Sequence, residues 1–410
     1  MNYPCPMTQS PFFTEIDPTE IYLQFSPQSP AWQQTQRFST AGRSWYAYLN
    51  QLCLDVFLEW LRQAYPQAKP WIPSAHYPSV WEVVNGSAIT LVGHTADPRH
   101  AIRLVLIPSA AIDISELRVP QEWIDLPSWA GDYYLASQVE PDEGWLRIWG
   151  FTTHERLKQL GEYDAGDRTY SMDAKALIKD MDVLWDAQQL CPDEPTRTSL
   201  QPLPALPLPQ AENLIARLGN PEVLMPQIEV PFTLWGALLE NAGWRQRLYQ
   251  RRVGLPEQWS VPQWLSNGVP QLAQQLGWSQ VTFQTDLAGA RGTELSQSPV
   301  SILSRQLIIA GQSYELRVIP QGDLQARIWR FELLKSPTDL APNASQAARI
   351  SRGIKLRLLT EGLQPFENNE ATATTSVEQL YVVVALEPGE GLVWEVEPVP
   401  ENYEREILRF

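Results

Sequence analysis

Apolar positions recur at three- and four-residue steps through Trp45, Leu49, Leu52, Cys53, Val56, Phe57, Trp60 and Leu61. That spacing lines one face of a helix, and Pro66 ends it because proline cannot continue the amide ladder. The texture then changes to strand. Trp81-Glu-Val-Val and Ser87-Ala-Ile-Thr-Leu-Val flank Asn85-Gly86, a dipeptide that accepts positive φ, so a hairpin is expected there. Residues 102–107 form an apolar run closed by Pro108 and read as a buried strand. A second hairpin should pair 133–139 with 145–151 across Glu140-Pro-Asp-Glu-Gly144. Thr152-Thr-His-Glu155 reads as a capping box, and the helix it opens should end on a left-handed Gly161. Residues 173–180 read as another helix and 183–185 as a strand.

Pro192, Pro195, Pro202, Pro204, Pro207 and Pro209 favour extended polyproline geometry, which marks a domain boundary. Beyond it, 232–249 reads as a helix behind Pro231, and 270–276 as a shorter one stopped by Gly277. From 300 onward, strands are expected at 302–309, 314–319, 326–333, 354–360, 379–386 and 392–396. The fold class is therefore α+β. A loosely ordered tail (1–36) precedes a mixed α/β domain (37–191), a Pro-rich linker (192–210), a helical segment (211–299) and an antiparallel β-sandwich (300–410). One internal echo is visible: residues 134–151 align without gaps with residues 314–331, and Arg147-Ile-Trp-Gly-Phe151 matches Arg327-Ile-Trp-Arg-Phe331.

Charge changes the picture. Over 410 residues, 31 Lys and Arg face 47 Asp and Glu, a formal net charge of −16. Such a surface is not built to coat phosphate, so nucleic acid is not an expected partner. With three Cys and four His in the chain, neither a disulfide scaffold nor a structural zinc site is expected. The first residues lack a basic and apolar leader pattern, and no apolar run is long enough to span a bilayer. A cytoplasmic protein without membrane contact is the expectation.

The chemistry sought in the residues is mostly missing. There is no Gly-x-Ser-x-Gly elbow and no glycine-rich phosphate loop between strand and helix. His94, Asp97 and His100 share a loop but lack a further ligand nearby. Asp125, Asp132, Glu140, Asp142 and Glu143 crowd the second hairpin, where carboxylates could hold Mg²⁺ or merely be solvated in a turn. No catalytic residue, cofactor or resident metal is assigned.

Seventeen Trp are the unusual feature. Trp81, Trp123, Trp129, Trp145, Trp149 and Trp185 are read as one core. Trp244, Trp259, Trp264 and Trp278 are expected to be exposed anchors for a protein partner, since aromatics dominate interface hot spots. Arg245, Arg247, Arg251 and Arg252 form a basic cluster that could grip an acidic ligand.

Two resemblances complete the reading. Val119-Pro-Gln-Glu-Trp-Ile-Asp-Leu-Pro-Ser-Trp-Ala-Gly-Asp-Tyr-Tyr-Leu-Ala136, Trp145-Leu-Arg-Ile-Trp-Gly-Phe-Thr-Thr-His154 and Lys355-Leu-Arg-Leu-Leu-Thr-Glu361 resemble a cyanobacterial family of uncharacterised proteins, the domain of unknown function 1822. It implies no activity or catalytic residues. The order of elements around 102–154 also resembles a restriction-endonuclease-like core. Active members carry an acid-x-Lys pair on the strand that here reads Arg103-Leu-Val-Leu-Ile-Pro108, so the resemblance implies a core without that chemistry. The function expected is a non-catalytic adaptor or regulatory protein working through protein–protein contacts, by exposed aromatics and the sandwich edge. The alternatives are a divergent metal-dependent nuclease using the hairpin carboxylates and a module for acidic ligands centred on residues 245–252.

Overall fold

The computed structural model describes residues 17, 19–26, 37–91, 101–191, 194–255, 260–283, 300–322, 327–336, 349–401 and 403–410. The chain is α+β and divides into two compact units, residues 1–206 with 211–254, and residues 207–210 with 255–410.

The first unit contains the strands β1 (Ile21–Gln24), β2 (Lys69–Pro70), β3 (Ser87–Leu91), β4 (Ile102–Ser109), β5 (Glu116–Pro120), β6 (Tyr133–Glu140), β7 (Trp145–Thr153), β8 (Glu162–Asp164) and β9 (Thr169–Asp173). Six of them form a sheet in the order β1-β7-β6-β4-β3-β2, and the other three form a small sheet ordered β5-β9-β8. Within the large sheet only β4 and β6 run parallel. A parallel neighbour needs a crossover, and the segment through β5 that joins β4 to β6 supplies it. Leu104, Val105 and Leu106 of β4 are fully buried, as a central strand requires.

Helix α1 (Ala41–Ala64) lies on β3 and β4 and buries Leu49, Leu52, Cys53, Phe57 and Leu61 of the predicted stripe, while Val56 and Trp60 are half-buried and Trp45 is exposed. Thr40 caps its start by accepting from the Arg43 amide. The other helices of this part are α2 (Tyr77–Trp81), α3 (Glu122–Asp125), α4 (His154–Leu160), α5 (Asp182–Leu190), α6 (Leu208–Leu218, of which residues 211–218 belong to this unit), α7 (Phe232–Glu240) and α8 (Ala242–Arg252).

The hairpin β6–β7 forms across residues 140–144 as expected. The expected hairpin around Asn85-Gly86 does not form, because Tyr77–Trp81 is helical and Asn85-Gly86 leads from that helix into β3. Tertiary contacts decide this. Asn50 on α1 accepts the Gly86 amide at 2.8 Å and donates to Asn85 Oδ1 at 2.8 Å, while Trp123 Nε1 donates to the Asn85 carbonyl at 2.9 Å. Gly86 has φ +121°, and a Cβ there would lie 2.5 Å from Trp123 Nε1.

Other local expectations also shift. Thr153, not Thr152, caps α4, and Gly161 ends it at φ −76°, outside the left-handed region. Residues 169–173 are strand β9 followed by a single 3-10 turn, and 183–185 belong to α5. The expected helix 232–249 breaks at Asn241, whose side chain accepts the Trp244 amide and starts α8.

The second unit holds α9 (Val261–Asn267), α10 (Gln271–Gln275) and the strands β10 (Trp278–Phe283), β11 (Val300–Ile309), β12 (Gln312–Pro320), β13 (Ile328–Lys335), β14 (Lys355–Thr360), β15 (Glu370–Thr372), β16 (Gln379–Ala385), β17 (Gly391–Glu397) and β18 (Ile407–Arg409). Two antiparallel sheets result, β10-β11-β12-β13-β16 and β15-β14-β17-β18. Their inner faces meet through aromatic rings: Trp278 lies 6.3 Å from Trp394, and Phe410 lies 4.8 Å from Trp329. That is sheet-on-sheet packing of a sandwich. The short strands β10, β15 and β18 escaped the sequence reading. The echo between residues 134–151 and 314–331 does not survive as a shared register. Tyr134 pairs with Thr152, so Tyr314 should face Glu332, yet it pairs with Lys335.

Candidate interaction surface

The sequence-derived site residues fall in two places, and most of them point inward. On α8, Arg252 is buried and donates from Nε to Glu82 Oε1 at 2.7 Å. Its other nitrogens reach the Leu218 carbonyl at 2.9 Å, the Val223 carbonyl at 3.1 Å and Ser39 Oγ at 3.3 Å. Arg245 is buried too, donating to Ser79 Oγ at 3.2 Å and the Leu239 carbonyl at 2.9 Å, with its guanidinium 5.4 Å from the Trp129 ring centroid. Both guanidinium groups are spent on internal partners, so neither offers an acidic ligand an open donor face. Arg247 is half-buried and Arg251 exposed.

The Trp set is likewise corrected. Trp244, Trp264 and Trp278 are buried, and Trp259 lies outside the described residues. The reason is area: an indole buries more apolar surface than any other side chain, so packing takes it first. The tryptophans read as one core are several. Trp123 and Trp129 cluster with Trp71 at centroid distances of 5.1 to 5.4 Å, Trp81 stacks on Tyr77, and Trp185 meets Trp60 and Tyr65.

The carboxylates do not converge. Asp132 accepts from the Arg103 amide, from Thr196 Oγ1 and from the Arg197 guanidinium, which fills both its oxygens. Asp125 is held by Lys158 at 2.9 Å and Tyr170 at 3.0 Å. Asp142 and Glu143 are exposed in the hairpin turn. Among the described residues no group of three His, Cys, Asp or Glu is arranged to hold a metal ion. The loop with His94, Asp97 and His100 lies outside those residues. His154, in the first turn of α4, is buried. It donates from Nε2 to the Ile124 carbonyl at 2.8 Å, and its Nδ1 accepts the Thr198 amide at 3.2 Å. Burial lowers its pKa. Burial pushes the Cys53 thiol up to about 12, which makes it inert at neutral pH.

Part of the outer face of the five-stranded sheet stands open, although Ile302, Ser304 and Glu332 on that face are buried. Alternation sets it: Trp329, Phe331, Leu380 and Val382 point into the sandwich, so Ile328, Arg330, Tyr381 and Val383 point out. Tyr381 and Val383 are 48% and 47% exposed, and Ile328 and Val281 39% and 40%. Register places Arg317 opposite Glu332 and Glu332 opposite Tyr381, with Arg330 opposite Val383. The charges on this face pair with one another. Arg317 donates to Glu315 at 2.7 Å and Arg330 to Glu332 at 2.5 Å, while the Arg330 guanidinium lies 4.0 Å from the Tyr381 ring centroid. Ser304 Oγ also donates to Glu315, at 2.6 Å, and these contacts hold its carboxyl below the usual range against the pull of burial.

This patch combines a tyrosine with an arginine stacked upon it, two residue types enriched at interface hot spots, beside exposed aliphatic neighbours. In sequence the only hint is the strand Gln379-Leu-Tyr-Val-Val-Val-Ala385, whose nearly unbroken apolar run hides which alternate residues face outward.

An α+β protein with an open sheet face is thus what the chain builds. It belongs to the family described as Protein of unknown function (DUF1822), whose model matches residues 21–409. No curated protein and no solved structure matches it. Among the described residues no helix is long and apolar enough to cross a membrane.

Proposed function

We propose that this chain is a non-catalytic adaptor or regulatory protein, and that it works through the outer face of the β10-β11-β12-β13-β16 sheet. The single observation that carries this reading is the exposed Tyr381–Val383 patch with Arg330 stacked on it. Exposed β-branched and aromatic side chains on one sheet face lose hydration cost when a partner covers them. The free thiols of Cys53 and Cys191 agree with a reducing compartment, and the reading places the protein in the cytoplasm. A nuclease reading has less support, since β4 carries Arg103-Leu-Val-Leu-Ile107 and Asp132 is held by Arg197. The acidic-ligand reading has less as well, because Arg245 and Arg252 are buried and engaged.

The test is site-specific photo-cross-linking in intact cells. A benzophenone amino acid is placed at Val383 and, as a control, at Ile112, which is 93% exposed in the first unit. Protein adducts should form at position 383 and not at 112. Equal or absent adducts at both positions sink the reading.

A further inference from the structure

We propose that the occupant of this face is a second copy of the same chain, joined sheet to sheet about a two-fold axis. The inference rests on the face assigned above and names its partner.

Charge is the first argument. The chain carries −16 overall, so two copies repel wherever their acidic surfaces approach. On the outer face the balance differs: Arg317 and Arg330 match Glu315 and Glu332, and each is already paired within its own sheet. A neutral face whose charges already pair within the sheet is where like-charged copies can meet with the least repulsion. A partner recruited by electrostatic attraction to this acidic protein would be basic, and this face offers it no surplus carboxylates.

Geometry is the second argument. A two-fold contact places the same patch on both sides, so each patch must complement itself. A sheet face does so readily, because two twisted sheets pack across their side chains at about 10 Å. Five strands about 4.8 Å apart and some seven residues long frame a projection on the order of 550 Å². Ile302, Ser304 and Glu332 within it are already buried, so the area offered lies mainly at Ile308, Ile328, Tyr381 and Val383, a contact on the small side of the roughly 800 Å² that a stable partner gives up. Tyr381, Val383 and Ile328 would sit near the contact with Arg330 between them, and their exposed apolar area is what association removes from water.

The experiment is sedimentation equilibrium of the full chain from 1 to 200 µM, at low and high salt. The expected result is a species of twice the 46.6 kDa chain mass, strengthened by added salt because screening weakens the repulsion between copies. Tyr381→Glu and Val383→Glu should each weaken association at least tenfold, while Tyr381→Phe leaves it within about twofold. Circular dichroism melts of each variant check that the sandwich is intact. If Tyr381→Glu fails to fold, Val383→Glu carries the same prediction. A monomer at 200 µM overturns the proposal, and so does a dimer that neither variant weakens. If the chain is a monomer while the adduct at position 383 contains a different polypeptide, the second copy is ruled out and the contact face stands. If no adduct forms at all, the face itself falls.

Discussion

Arg252 Nε lies 2.7 Å from Glu82 Oε1, and neither side chain has measurable exposure. The two are 170 positions apart, yet Ser39 also donates to Glu82 from its amide at 3.1 Å and from its hydroxyl. A buried pair is a poor source of net stability, but removing one partner strands a charge. Arg252→Met should therefore cost on the order of 3–5 kcal/mol in urea unfolding. Adding Glu82→Leu should return at least half of that loss. A double variant no better than the single one would show that the carbonyl contacts of Arg252, rather than Glu82, set its value.

Glu122 is a buried carboxylate that accepts from Trp235 Nε1 at 2.7 Å. Burial raises its pKa, with the Trp235 bond acting in the opposite direction. A raised carboxylate stabilises the folded state below its unfolded pKa, and that contribution is lost as pH rises through the folded value. Glu122→Gln keeps the acceptor and removes the charge. The variant should melt higher than the parent at pH 7–8, and the advantage should vanish below about pH 4.5, the ordinary range of a glutamate. An unchanged difference across that range would contradict this account.

His154 shows the opposite sign. Burial lowers its pKa, and its Nδ1 is engaged by the Thr198 amide, so protonation there breaks a contact. The unfolded chain binds the proton more readily. Stability is present above about pH 6.5 and falls as pH drops through the folded value. The groups facing the ring are Asp125, Lys158, Arg197 and the Tyr134 ring. Segment 196–198 should loosen first on acidification, read as faster amide exchange there at pH 5.5 than at pH 7.5 after correction for intrinsic rates. His154→Gln should flatten the stability slope by up to about 1.4 kcal/mol per pH unit.

Gly86→Ala tests the connection that replaces the expected hairpin. Positive φ and the 2.5 Å approach of Trp123 Nε1 both act against a methyl group. A loss of about 2–3 kcal/mol is expected. Gly254 also has positive φ but nothing within 4 Å of its Cβ position, so Gly254→Ala should cost about 1 kcal/mol.

How much of this was legible in the sequence depends on the range of the forces involved. The stripe of α1 and the β6–β7 hairpin follow from local period and turn chemistry, and both form. The Asn85-Gly86 hairpin fails because Asn50, Trp123 and Gly86 meet from distant parts of the chain, which no local pattern records. Helix α8 misleads for the same reason. Its arginines read as a surface cluster, but Glu82, Ser79 and a set of carbonyls satisfy them inside. The open face was invisible because Tyr381 and Val383 stand among Leu380, Val382 and Val384, and only strand register separates outward from inward.

The meeting of residues 39, 82, 218 and 252 around one guanidinium has a kinetic meaning. The contacts of Arg252 with Glu82 and Ser39 join residues 170 and 213 positions apart, and folding slows as the mean separation of contacting residues grows. The first unit must therefore wait for α8 before its polar interior can be neutralised. A chain halted at residue 206 would leave the Glu82 carboxylate without its cation and the Glu122 carboxylate without its indole. Such a fragment should be a clumping, chaperone-bound species rather than a smaller version of the native unit.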